Sequence, residues 1–206
     1  MGAVGIVGLV GGMMDYAFFG VQVVIKAFFG DPLRKKIHEV IASGEREQSV
    51  DDKRKFYKRL TGVLADALPY YEMGFWDFIR GGKAEDEFNT WVSEIEGAVA
   101  TEGEEVAREA DEAARLSAKK DYLIVTTLFL VQQGSNSEAT LGRRCDIAES
   151  DYWTRMTFGE LFKTIPMLSF SSVKADAVYL IPGSDDDGLS MEDLHIGGYE
   201  YLKSLS

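Results

Sequence analysis

MGAVGIVGLVGGMMDYAFFGVQVVIKAFFG, residues 1–30, carries three polar side chains: Asp15, Gln22 and Lys26. No Lys or Arg precedes Lys26, and Phe28-Phe29-Gly30-Asp31-Pro32 does not resemble a cleavage site, which argues against a secretory signal peptide. Read as a helix, the stretch is long enough to cross a hydrocarbon core of about 30 Å. Asp15, Gln22 and Lys26 then fall at i, i+7 and i+11, on one narrow face. Length and apolarity favour a transmembrane helix whose polar stripe faces partner helices, with Gly8 and Gly12 permitting close approach. The alternative is a buried core helix over residues 13–29. Arg34, Lys35 and Lys36 follow immediately, and by the positive-inside rule they keep the C-terminal domain on the cytoplasmic or stromal side. The expected organisation is therefore a Gly-rich anchor at 1–30 and one domain at 31–206, helical over 31–119 and strand-containing over 120–206.

The formal net charge of −12 argues against a nucleic-acid-binding surface, because phosphate recognition wants a basic face. The charge is uneven: residues 31–60 hold nine Lys/Arg against six Asp/Glu, while residues 85–112 hold eleven Asp/Glu against one Arg. A basic piece next to the anchor suits an anionic membrane, and solvated helix faces explain the same pattern. Cys145 is the single cysteine, so no internal disulfide forms.

Beyond the anchor, Leu33, Ile37, Val40 and Ile41 mark one short helix, and Ser49 opens a second with Phe56, Leu60, Val63 and Leu64 on its apolar face. Phe88, Trp91, Val92, Ile95 and Val99 form the stripe of an acidic helix, with a break expected near Gly103. Residues 121–131, DYLIVTTLFLV, are apolar at both odd and even positions and predict a central strand covered on both faces. Ser135 with Glu138 is a capping box; residues 157–165 read as a helix, 168–173 as a short strand and 175–181 as a strand. The fold class is α+β: a small, mostly antiparallel sheet packed by helices, preceded by the apolar N-terminal helix.

Chemistry-bearing residues are sparse. Cys145 with His195 is a nucleophile–base pair only if the fold joins them, and neither His38 nor His195 has a second metal ligand at useful spacing. No metal site, catalytic residue or cofactor is predicted. Residues 69–82 concentrate aromatics, and Tyr70, Tyr71 and Trp76 are expected at a membrane interface, as a covering loop or short helix. A cofactor or pigment pocket is the sharper alternative for that cluster, and the covering reading is preferred because no convergent polar group accompanies the rings; a pigment can be ligated by a lone side chain or carbonyl, which leaves no motif.

The strings DYLIVTTLFLVQQGSNSEATL and AVYLIPGSDDDGLSMEDL, with the closing YEYLKSL, resemble the cyanobacterial and plastid family called domain of unknown function 1517, best over residues 121–205. The chain departs from that pattern at Leu180-Ile181-Pro182, where the family often has Trp before the Pro, and at Tyr199-Glu200, where it has Pro after the Tyr. The resemblance implies a photosynthetic, thylakoid-type membrane and supplies no catalytic residues. The functional expectation is a non-enzymatic, membrane-anchored accessory or assembly subunit docking on a larger complex. A soluble protein-interaction module is the second reading, and an enzyme using Cys145 or His195 the third.

Overall fold

In the computed structural model, the apolar N-terminal stretch is a strand, not a helix. The structure describes residues 4–6, 15–28, 30–44, 49–108, 120–183, 187–196 and 198–206. In chain order the elements are β1 (Val4–Ile6), β2 (Tyr16–Lys26), α1 (Pro32–Ser43), α2 (Val50–Asp66), β3 (Tyr71–Arg80), α3 (Ala84–Arg108), β4 (Tyr122–Gln132), α4 (Asn136–Cys145), α5 (Arg155–Thr164), β5 (Val173–Ile181), α6 (Met191–Ile196) and β6 (Lys203–Ser204). The strands form one sheet in the order β1-β5-β4-β2-β3-β6, and every neighbouring pair is antiparallel. This is the α+β class, with helices on both faces of the sheet.

The transmembrane helix expected at residues 1–30 is corrected by β2, which pairs with β3 on one side and β4 on the other along its whole length. Ala17, Phe18, Phe19, Val21, Val23, Val24 and Ile25 are all fully buried. Four β-branched residues and three aromatics favour extended backbone, and burial on both faces removes the alternation that normally marks a strand. A domain boundary at residue 30 would separate this strand from both of its partners. No helix among the described residues is long and apolar enough to cross a membrane. The core-helix alternative had the burial right and the conformation wrong.

Odd-numbered β2 residues Phe19, Val21, Val23 and Ile25 join Leu123, Val125 and Phe129 of β4 under α1, α2, α4 and α5. Even-numbered Phe18 and Val24 join Ile124, Leu128 and Tyr179 under α3, α6 and the C-terminal segment. Gly20 makes the second face possible, because a Cβ there would lie 2.7 Å from the Phe18 ring and 3.2 Å from Trp91. On the first face Tyr57 tilts over Phe129 at 4.9 Å and stacks on Phe170 at 5.3 Å. The Tyr57 hydroxyl donates to Asp176 Oδ2 at 2.9 Å, and Lys53 pairs with the other carboxylate oxygen.

Two strand–helix–helix–strand units are visible, β2-α1-α2-β3 and β4-α4-α5-β5, whose first strands pair at the centre of the sheet. In each unit the helix pair packs on the same face. The link between the units, α3, crosses the other face above β2.

Local capping follows the sequence. Ser49 accepts from Asp52 N–H, Ser135 from Glu138 N–H and Ser190 from Asp193 N–H, while Asp31 caps α1 ahead of Pro32. Three expectations are corrected. Residues 71–80 form β3, not a covering loop or helix; residues 170–172 form a 3-10 turn instead of a strand; and α3 runs through Gly103 unbroken.

Candidate functional site

Two concavities flank β3, one on each face of the sheet. The larger, about 820 Å³, lies between β3 and α4 and is closed at one end by Tyr152 and Trp153. Its walls are Trp76, Phe78, Arg80, Gly142, Arg143 and Cys145, with Asp77 and Asp146 adding acidic groups. The Tyr152–Trp153 pair straddles the strand edge: Tyr152 meets Trp76 at 5.2 Å on one side, and Trp153 stacks on Phe75 at 5.8 Å on the other. Trp76 Nε1 donates to the Tyr152 carbonyl, which fixes the strap to the strand.

Arg80 is held in place by contacts within the chain. Its guanidinium lies 4.7 Å from the Phe78 ring centroid, and Nε donates to Glu138 at 2.5 Å. Gly142 leaves room for it in this position, since a Cβ there would lie 2.0 Å from Arg80 Nη2 and the guanidinium would have to shift. Arg143, at the exposed rim, donates to the Thr140 hydroxyl and enters no ion pair among the described residues. Asp77 has its carboxyl raised by burial, opposed by the Phe78 N–H and reinforced by Glu87. By capping the Phe78 N–H, Asp77 occupies a donor that an added strand would need, a recognised way of blunting a sheet edge.

The second concavity, about 470 Å³, lies on the α3 face, with Phe75, Trp91, Tyr199 and Tyr201 as its aromatic walls. Ile95, Ala98 and Ile181 complete an apolar lining in which Glu94 is the single charged residue among the described residues.

The residues singled out from sequence do not converge. Gln22 is fully buried behind the second concavity, Asp15 is exposed before β2, and Lys26 sits 5.6 Å from the Phe28 ring and 6.0 Å from Tyr122. Gly8 and Gly12 lie outside the described residues. The shared face of Asp15, Gln22 and Lys26 is lost because a strand repeats every two residues. The membrane-interface set separates as well. Arg34 is buried with its guanidinium toward the Lys120 carbonyl, Tyr71 is buried and donates to the Leu64 carbonyl, while Lys35, Lys36 and Tyr70 are exposed. Of that set, Trp76 lines the larger of the two concavities described. Phe75, within the aromatic cluster at 69–82, lines both concavities, whereas Tyr152, Trp153, Arg143 and Tyr201 carry no local signal that distinguishes them from covering residues.

Cys145 and His195 are not a pair. Burial pushes the Cys145 thiol up to about 12, with Arg80 and Arg144 opposing and Asp77 adding to the rise. His195 is exposed on α6, its Nδ1 2.6 Å from the Met191 carbonyl. No group of three potential metal ligands occurs among the described residues.

Compared with protein-family models, curated proteins and solved structures, the chain matches none. The likeness to domain of unknown function 1517 therefore rests on the quoted strings and assigns no role to any residue here.

Burial dominates the titration behaviour. It raises the hydroxyls of Tyr179 and Tyr201 to about 12, and those of Tyr57 and Tyr71 further. With the folded values raised, their stabilisation is complete below the ordinary tyrosine value of 10.0 and the thiol value of 9.0, and falls as pH rises toward 12. The melting temperature should hold to about pH 9 and then drop. The tyrosinate absorbance of Tyr57, Tyr71, Tyr179 and Tyr201 should appear together with loss of the near-ultraviolet circular dichroism signal. Full tyrosine ionisation in a still-folded protein would contradict this.

Proposed function

We propose that the protein is a non-enzymatic interaction module, an accessory subunit that docks on a larger protein complex through the groove between β3 and α4. One observation carries the reading: five half-buried aromatic residues, Phe75, Trp76, Phe78, Tyr152 and Trp153, surround a groove bordered by a pre-oriented Arg80 and by an exposed Arg143 that enters no ion pair among the described residues. Trp, Tyr and Arg in a half-desolvated concavity are the composition of interface hot spots, whose rings gain most when water leaves. The occupant is a partner-protein segment with an aromatic or large apolar side chain for the floor and a carboxylate for Arg143. Because Asp77 blunts the strand edge, the segment binds by side-chain insertion and not by adding a strand.

The photosynthetic-membrane setting comes from the family resemblance. Residues 16–26 supply no anchor for it, since their removal would take the central strand out of the sheet. Retention of the full chain through an alkaline carbonate wash would place an anchor elsewhere, and release would make attachment peripheral.

Docking is tested by selecting peptides from a random library on the full-length protein. Enriched peptides should pair an aromatic with an acidic residue, and Arg143→Glu should weaken them about tenfold or more. Trp153→Ala should weaken them further. Lack of enrichment, or equal binding to an Arg143→Glu protein with an unchanged melting curve, would refute the groove as a docking site.

A further inference from the structure

The geometry points to a second, separate binding site: the α3-face pocket is a receptor for an organic cation carrying alkyl or aryl groups, such as an alkylated ammonium. Its walls come from four parts of the chain. Phe75 projects from β3, Trp91 and Glu94 from α3, Ile181 ends β5, and Tyr199 and Tyr201 return along the C-terminal segment. Gly198, at φ +85, makes the turn that brings the two tyrosines back toward the sheet.

The aromatic rings are set at different angles instead of forming one stack. Phe75 lies 5.8 Å from Trp91 at 33° and 5.7 Å from Tyr201 at 87°. Rings turned against one another present both faces and edges to the space between them, and a cation is drawn to the negative faces. Charge selects the same class of ligand. Glu94 is the single charged residue in the lining among the described residues, so an anion meets repulsion from it while a cation gains a partner. A volume of about 470 Å³ lies within the range of small-molecule sites.

The polar anchor behind the wall explains a residue that otherwise has no reason to be buried. Gln22 stands in the middle of β2, fully buried, opposite Phe75 on one neighbouring strand and Thr126 on the other. Its Oε1 accepts the Tyr201 hydroxyl at 2.6 Å, while its Nε2 has no hydrogen-bond partner among the described residues. An unmet buried donor is destabilising, a cost that a Leu at this position would not incur. The bond holds the Tyr201 ring, 40 % exposed, against the pocket and directs its hydroxyl proton away from the ligand. Gln22 is thus a positioning residue for the cage.

The test compares three molecules of one skeleton by calorimetric titration of the full-length protein: benzyltrimethylammonium, the neutral 2,2-dimethyl-3-phenylpropan-1-ol and the anionic 2,2-dimethyl-3-phenylpropanoate. The cation should bind saturably and about tenfold or more tighter than the alcohol, and the anion should bind weakest. Glu94→Gln, on an exposed helix position, should cost the cation about fivefold and leave the alcohol unchanged. Gln22→Leu should weaken the cation while thermal stability is kept or raised, the opposite of what a merely structural Gln22 would show. Equal binding of alcohol and cation, no saturable binding of the cation, or indifference to Glu94→Gln would each overturn the proposal.

Discussion

Deleting residues 16–26 is expected to leave a chain that neither melts cooperatively nor stays soluble. β2 is the only partner of β3 along residues 75–80 in the described sheet, and it joins β3 to β4. Its six large fully buried side chains, Phe18, Phe19, Val21, Val23, Val24 and Ile25, are each worth about 1.5–3 kcal/mol on burial. Together they match the whole stability of a typical domain, about 5–15 kcal/mol. A single change should suffice: Val23→Asp places a carboxylate among Ile25, Leu123 and Val125 with no partner, and protonating it to avoid burying charge is itself costly. Circular dichroism melting and gel filtration check both variants. A soluble, cooperatively melting remainder would mean that residues 16–26 are a dispensable attachment, as the anchor reading supposes.

Asp176→Ala is expected to destabilise the fold by about 3 kcal/mol, because it leaves the Tyr57 hydroxyl buried without an acceptor and removes the counter-charge of Lys53. Lys53, 22 % exposed, can turn partly to water, so the loss should fall at the lower end for a buried pair. In a chain of this size the melting temperature should drop by about 6–12 °C. Tyr57→Phe should cost about 1 kcal/mol, since it deletes the donor but keeps the ring on Phe129 and Phe170. The double variant should be less destabilised than the sum, because both changes break the same bond. A loss under about 1 kcal/mol for Asp176→Ala in urea unfolding would show the cluster to be incidental.

Much of the local structure can be read from the chain because it depends on neighbours. Ser49, Ser135 and Ser190 each cap the helix that follows by reaching an N–H three residues on. The central placement of β4 is equally legible: DYLIVTTLFLV is too polar in its flanks and too β-branched for a helix, and apolar on both parities. β2 has the same two-sided burial, but its flanking apolar and glycine residues lengthen the run to membrane-spanning size, and periodicity is silent where both faces are covered. β3 was obscured differently, because its residues are half-buried at a sheet edge and their aromatic content suits a loop, a strand or an interface.

The sites lie one level further from the chain. Composition and short-range pattern establish an acidic α+β protein with well-capped helices and one strand that must be central. Pairing of β2 between β3 and β4, the duplicated strand–helix–helix–strand arrangement, and the meeting of Phe75 with Trp91, Trp153 and Tyr201 are tertiary facts. Gln22 and Tyr201 are separated by 179 positions, yet one hydrogen bond joins them. Strand order and register set that contact, and they are selected by the burial of both sheet faces at once, a condition no local window of residues expresses.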